Sequence, residues 1–167
     1  MLYDNTYVNI DQDAILANFE AVRSKTKAPV MAIIKADAYG HGAVQIARLL
    51  EERVAFFGVS GVGEALELRQ SGLEKPILIL GHTPTAAYPQ IVALGIRPAI
   101  FCLEDAELLS KEAVRQQTTA KFHLAVDTGM SRLGFQCTRA DAAVCAQAAR
   151  LPGLQAEGLF SHFATAD

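Results

Sequence analysis

The sequence predicts an α/β fold: a (β/α)8 TIM-type barrel, here truncated to about six strands, with outer helices around a parallel sheet. Two observations predict it. Short apolar runs alternate strictly with helical segments along the 167 residues, a pattern typical of a parallel sheet covered by helices. One run also has a partly polar face that ends in a carboxylate, as expected for a barrel strand at its C-terminal end.

Six apolar runs predict strands, and helical patterns precede and separate them. The strands are predicted over residues 29–35, 55–60, 76–80, 97–101, 121–127 and 154–162. The helices are predicted over residues 11–25, 41–53, 62–71, 85–94, 103–117 and 138–150. Asp11 is placed to cap the first helix, and Thr138 with Asp141 resembles a capping box at the start of the last one.

The run 121–127 decides between a barrel and a doubly wound sheet. Central strands of an open parallel sheet are usually apolar on both faces. Here Phe122, Leu124 and Val126 alternate with His123, Ala125 and Asp127. Polar residues toward the end of a strand suit a barrel mouth, so the barrel is favoured. A complete barrel has eight strands, so we expect this chain to carry only part of one.

Composition indicates a single globular domain over residues 1–167. Hydrophobic residues make up 51%, charged residues 20%, and the net charge is −3. We therefore expect no nucleic-acid partner, and the absence of a long apolar stretch predicts no membrane span. The start lacks the pattern of a secretory signal, and three cysteines without paired spacing indicate reduced thiols in the cytoplasm.

Two common kinds of binding motif do not fit the sequence. The glycine cluster 58–63 fails the dinucleotide fingerprint because Leu66 stands where the third glycine belongs, so we interpret it as a tight strand-to-helix turn. The histidines have no metal-ligand spacing; they are His41, His82, His123 and His162. His162 stands apart because it lies at the end of a predicted strand, where functional residues collect in a barrel.

The run from Ala32 to Gly42 is the strongest chemical signal. Lys35 ends a short apolar stretch, where lysine packs poorly, and Tyr39 and two glycines follow closely. Apolar surroundings disfavour a charged ammonium group, and a neutral amine can bond covalently to an aldehyde. For a lone lysine at a strand end, a side chain that reaches out to water is the favoured interpretation, but the whole eleven-residue context reverses that preference and favours covalent chemistry.

The segment 127–134 is the second signal. Asp127 ends a predicted strand, glycines permit an unusual backbone, and Arg132 follows within a turn. The planar guanidinium of arginine suits a substrate carboxylate or a phenolate oxygen. A surface ion pair between Asp127 and Arg132 explains this segment equally well.

Taken together, these segments closely resemble the alanine racemases, pyridoxal-phosphate enzymes with a (β/α)8 barrel and a second β-domain. The matching runs are residues 34–42, 126–134 and 161–167, in the family's order. Fold-related pyridoxal-phosphate decarboxylases share much of the barrel, but the Asp-Thr-Gly-Met run that begins at Asp127 points to the racemase branch.

The resemblance implies a role for four residues. Lys35 holds pyridoxal 5'-phosphate covalently and is one of two acid–base groups that interconvert L-alanine and D-alanine, the latter for peptidoglycan. Tyr39 hydrogen-bonds the cofactor phosphate, and Arg132 contacts the substrate carboxylate and the cofactor's phenolic oxygen. His162 stacks beside the pyridine ring. In the family a tyrosine of the partner subunit is the second base, so a homodimer or higher self-association is expected.

Two departures from the family pattern bear on activity. Ala125 stands where the family commonly has a lysine that orients the arginine, so we expect a small inner pocket there, filled by solvent or an anion. The family is also more than twice as long, so we expect this chain alone to be inactive. Two alternatives stay open: another pyridoxal-phosphate enzyme of this barrel type, and a non-catalytic cofactor-binding domain.

Overall fold

The computed structural model describes residues 7–165 and shows a parallel sheet packed against helices. The strands are β1 (Met31–Ile33), β2 (Phe56–Val59), β3 (Ile77–Ile79), β4 (Arg97–Ile100), β5 (Ala120–Asp127), β6 (Phe135–Gln136) and β7 (Leu154–Ser161). The helices are α1 (Gln12–Arg23), α2 (Lys35–Gly40, a short segment whose residues 36–39 are left-handed), α3 (Ala43–Leu50), α4 (Val62–Gln70), α5 (Tyr88–Ala93), α6 (Leu103–Arg115) and α7 (Arg139–Ala148). A 3-10 turn, Thr85–Ala87, precedes α5. The six predicted strands are confirmed, while the two-residue β6 was not predicted.

The strand order identifies the sheet as part of a barrel. The order runs β1-β2-β3-β4-β5, β7 pairs with β5, and all neighbours are parallel. A doubly wound sheet reverses its strand order at a switch point, whereas a barrel adds strands in sequence. No reversal occurs among the described strands, so the doubly wound alternative is wrong. The short β6 pairs only with Val126 and Asp127 of β5.

The predicted alternation along β5 separates the helix-facing core from the inner face of the sheet. Phe122 and Leu124 belong to the apolar core, together with Leu109 of α6. His123 and Asp127 lie on the opposite face and are each only 8% exposed. The inner face of β5 is therefore partly polar, as the sequence predicted.

Both predicted helix caps form, but the capping box does not. Asp11 Oδ1 accepts a hydrogen bond of 2.9 Å from the Ala14 amide, and Thr138 Oγ1 accepts one of 3.1 Å from the Asp141 amide. A capping box also needs the Asp141 carboxylate to accept from the Thr138 amide. That carboxylate accepts instead from the Gln136 amide, and it thereby ties β6 to the start of α7.

The described residues contain neither a membrane helix nor a metal cluster. Over residues 7–165, no helix combines the length and apolar character needed to cross a bilayer. In the same range, histidine, cysteine and acidic side chains form no group of three that could hold a metal ion. Cys102, Cys137 and Cys145 are free thiols.

Candidate active site

One cavity of about 480 Å³ brings together the four residues that the sequence singled out. Lys35, Tyr39, Arg132 and His162 all line it, at the C-terminal ends of β1, β5 and β7. Its remaining wall is mainly apolar, and is formed by Met31, Ile33, Leu78, Leu80, Leu159 and Phe160 together with His123 and Ser161. Residues from distant parts of the chain therefore meet at one end of the sheet.

Lys35 begins a left-handed turn and does not end a strand. The strand β1 ends at Ile33, and the four residues after Lys35 are left-handed, with φ from +51° in Ala36 to +55° in Tyr39. The predicted strand end at residue 35 and helix start at residue 41 were therefore wrong in detail. A left-handed helical conformation costs roughly 1–2 kcal/mol per residue that is not glycine, so neighbouring groups must stabilise this turn.

Two carboxylates accept hydrogen bonds that hold this turn in place. Asp37 Oδ1 accepts from the Ala43 amide at 2.7 Å, which ties the turn to the start of α3. Glu64 Oε1 accepts from the Ala36 amide at 2.8 Å, and its Oε2 accepts from the Ser60 amide at 2.6 Å. Burial opposes ionisation of Glu64, but the backbone hydrogen bonds outweigh burial and hold its pKa below the ordinary value.

Asp127 shapes the loop that carries Arg132. Its Oδ1 accepts from the amides of Gly129 at 2.9 Å and Ser131 at 3.0 Å, and its Oδ2 accepts from Gln136 Nε2 at 3.2 Å. These hydrogen bonds hold the pKa of Asp127 below its ordinary value. Arg132 is exposed and lines the cavity. Within residues 7–165 no ion pair joins Asp127 to Arg132, so the surface-pair interpretation is wrong for this structure.

A polar cluster of Arg97, Lys121 and Glu157 lies near the cavity on the inner face of the sheet. Glu157 Oε2 lies 3.0 Å from Arg97 Nε, and Glu157 Oε1 lies 2.8 Å from Lys121 Nζ. Burial opposes ionisation of Glu157, but hydrogen bonds from both cations outweigh burial and lower its pKa to about 2. Glu157 is the extra residue where β7 bulges against β5, between the Phe122 and His123 pairings. The bulge aims this carboxylate at the cluster.

His123 connects this cluster to the cavity. The residue is 8% exposed, and its Nε2 has no hydrogen-bond partner and lies 3.7 Å from Glu157 Oε2. Burial lowers the pKa of His123, and the Glu157 carboxylate offsets only part of that effect. A Cβ on Gly158 would lie 2.7 Å from the His123 ring, so the glycine makes room for the imidazole. Ala125 is buried on the same strand, and what fills the space beside it stays a prediction.

We expect the free energy of unfolding to fall in two stages as the pH is lowered from 7. The folded His123 resists protonation while the unfolded imidazole takes up a proton near pH 6.5, which destabilises the fold below that pH. Glu157 then stays ionised in the fold down to about pH 2, whereas an unfolded glutamate protonates near pH 4.5. The stability that Glu157 contributes is therefore present above pH 4.5 and lost as the pH falls toward 2.

Urea unfolding at a series of pH values measures this dependence. Glu157→Gln is expected to lower the free energy of unfolding at pH 7 by about 2 kcal/mol, because two partly buried cations lose their partner. The same variant should flatten the profile between pH 4.5 and 2. A variant profile that keeps the slope of the original protein in this interval would contradict the assignment.

Sequence reasoning missed Glu64 and passed over His123. Glu64 lies in the first turn of α4, where an acidic residue is ordinary, so its contact with the loop after Lys35 left no local signal. His123 has no metal-ligand spacing, so no motif marked it. Its position on the polar face of β5 was the signal that could have placed it in the cavity wall.

Comparison with known proteins identifies the family. A family model described as the N-terminal domain of alanine racemase matches residues 10–167. The chain belongs to the alanine racemase N-terminal domain family. An alanine racemase of Clostridium tetani is 38% identical over 163 residues, which cover 96% of this chain and 42% of that protein. The chain therefore spans less than half the length of this alanine racemase.

Solved structures of the family share the fold. An alanine racemase from Clostridium difficile 630, in complex with cycloserine, superposes with a TM-score of 0.89 at 36% identity, over 92% of this chain and 43% of that one. A histidine racemase from Leuconostoc mesenteroides superposes with a TM-score of 0.84 at 29% identity, over 92% and 42%. The TIM-type barrel predicted from the sequence is thus confirmed as the fold of this family.

Proposed function

We propose that this chain is the cofactor-lysine part of an alanine racemase, an enzyme that uses pyridoxal 5'-phosphate to interconvert L-alanine and D-alanine. The observation that carries the proposal is the single cavity lined by Lys35, Tyr39, Arg132 and His162. Membership of the alanine racemase family supports it independently.

The cavity suits pyridoxal phosphate by its size and its donors. An amine, a phenol, a guanidinium and an imidazole face it, and no carboxylate is among the described residues that line it. This donor set suits a ligand with a phosphate and a phenolate oxygen. The apolar residues from β1, β3 and β7 suit the flat face of a pyridine ring. His123 also lines the cavity, and its buried Nε2 has no hydrogen-bond partner.

Each residue has a separate task in the proposed reaction. Bound pyridoxal phosphate would delocalise the electron pair left on the α-carbon when its proton departs. Lys35 Nζ holds the cofactor and then moves the α-proton on one face of the substrate. Arg132 binds the substrate carboxylate and the phenolic oxygen, Tyr39 donates to the phosphate, and His162 lies beside the ring.

The second base belongs to another part of the protein in this proposal. Racemisation needs a proton donor on the face opposite Lys35, and we assign that role to a tyrosine of the partner subunit in a homodimer. The exposed Leu159 and Phe163, at 64% and 80%, support further burial of this end of the sheet. The isolated 167-residue chain is accordingly expected to bind cofactor without racemising alanine.

We place this activity in the cytoplasm, where its product would supply peptidoglycan synthesis. Three free thiols support a reducing compartment. We propose alanine as the substrate and a second copy of the protein as the partner. Residues outside this chain would complete the pocket for the substrate side chain.

A racemase for another amino acid is the second candidate. The histidine racemase that superposes on this chain supports it, since that protein shares this half of the barrel at 29% identity. The two candidates differ in the substrate and not in the role of Lys35, Tyr39 or Arg132.

Exchange of the α-proton tests the proposed function. The full-length enzyme is expected to convert L-alanine to D-alanine in deuterated water, with deuterium at the α-carbon, as chiral chromatography and mass spectrometry would show. L-serine and L-histidine serve as comparison substrates. Faster turnover of either one would favour the second candidate, and turnover by the isolated 167-residue chain would contradict the assignment of the second base.

A further inference from the structure

We propose that Glu64 is a positioning residue for Lys35, because its carboxylate fixes the left-handed turn that directly follows the lysine. Glu64 lies in the first turn of α4, after β2, whereas Lys35 follows β1. The inference rests on the proposed function, in which Lys35 must present its amine to the cofactor from one defined direction.

Both oxygens of Glu64 are used, and each one holds a different loop. Oε1 accepts from the amide of Ala36, the residue next to Lys35, and Oε2 accepts from the amide of Ser60 at the end of β2. The carboxylate thus joins the loops after β1 and β2. Since Glu64 is not among the residues that line the cavity, it acts on Lys35 through the backbone of Ala36.

The left-handed turn needs a stabilising hydrogen bond at Ala36. Ala36, Asp37, Ala38 and Tyr39 are left-handed without being glycine, so their own preference opposes this conformation. Asp37 ties the far end of the turn to the Ala43 amide. Glu64 ties the near end, beside the lysine. Loss of this hydrogen bond would free the backbone of Ala36 and, with it, the adjoining backbone from which the Lys35 side chain extends.

The two hydrogen bonds require an ionised carboxylate. A glutamine side chain has one acceptor oxygen and an NH2 group, so it can accept from only one of the two amides and would turn a donor toward the other. The lowered pKa of Glu64 agrees with a group that stays ionised near neutral pH. Glu64→Gln therefore removes one tie with almost no change in volume.

Hydrogen exchange and cofactor attachment together test the inference in the full-length protein. In Glu64→Gln we expect the Ala36 or Ser60 amide to exchange about tenfold faster, which corresponds to the loss of one charge-assisted hydrogen bond. The rate at which added pyridoxal phosphate becomes trapped on Lys35 by borohydride should fall about tenfold. Glu67→Gln is the matched control, since Glu67 is exposed one turn further along α4, and it should change neither rate.

Each outcome decides a different point. If Glu64 only stabilised the fold, Glu64→Gln would lower the melting temperature but leave the attachment rate of the folded protein unchanged, and the positioning role would be wrong. Glu64→Asp, with both acceptors on a shorter side chain, should recover part of the attachment rate. If the unsubstituted protein attaches no cofactor to Lys35, the proposed function fails, and the positioning role fails with it, whatever the exchange rates show.

Discussion

Lys35→Ala is expected to abolish covalent binding of pyridoxal phosphate and to lower racemisation by about 10⁴-fold or more. The substitution removes the only amine among the described residues that line the cavity, and with it the proposed base on one face of the substrate. The free energy of unfolding should change by no more than about 0.5 kcal/mol, because Lys35 is only half-buried and no salt bridge among the described residues uses its amine. Visible absorbance of the bound cofactor and chiral chromatography measure the two effects.

Lys111→Ala is the control for this prediction. Lys111 is exposed on α6, on the side of the sheet away from the cavity, and its loss should leave cofactor binding and turnover unchanged. A Lys35→Ala protein that keeps the absorbance of covalently bound cofactor would contradict the pyridoxal assignment as a whole.

Gly134→Ala is expected to destabilise the fold by about 3 kcal/mol and to displace the loop that carries Arg132. Gly134 has φ of +132°, and an added Cβ would lie 2.5 Å from the Asp127 nitrogen and 2.7 Å from the Val126 carbonyl carbon. Backbone atoms of a central strand cannot move aside as a flexible side chain can. Strain in φ and the steric overlap each cost about 1–3 kcal/mol.

Urea unfolding and a substrate titration measure the two consequences of Gly134→Ala. The Michaelis constant for alanine should rise, because Arg132 lies two residues before Gly134 in the same loop. Gly63→Ala is the control: beyond its own helix backbone, nothing lies within 4 Å of where an added Cβ would be, and α4 is a helix, where alanine is favoured. Equal stability of the two variants would mean that the loop does not approach β5 as closely as the structure shows.

The parallel sheet could be predicted because its strands are continuous apolar runs. The runs around Phe57, Leu78 and Ile100 are buried from both sides, so the sequence shows them without any long-range information. The two-residue β6 could not be predicted, because Phe135 and Gln136 gain strand pairing only where the 127–134 loop returns against the end of β5. The predicted end of the first strand at Lys35 was wrong for a similar reason, because the turn after β1 is held by residues distant in the sequence.

The residues of the candidate site could be predicted from the sequence, but the contacts that hold them in place could not. Lys35, Tyr39, Arg132 and His162 stood in recognisable runs, and one cavity contains all four. The left-handed turn was hidden because Ala36 and Ala38 favour right-handed helices, and a carboxylate 28 residues away helps to hold the opposite conformation. Asp127 was considered as a partner of Arg132, whereas its oxygens are used by backbone amides and Gln136.

Borohydride reduction of the cofactor-loaded protein, followed by peptide mapping, identifies the lysine that binds pyridoxal phosphate. Reduction makes the bond between a lysine and pyridoxal phosphate permanent, so tandem mass spectrometry can locate it. We expect one modified site, at Lys35, that is absent from Lys35→Ala. A pyridoxyl group on another lysine, or none on a protein that racemises alanine, would contradict it.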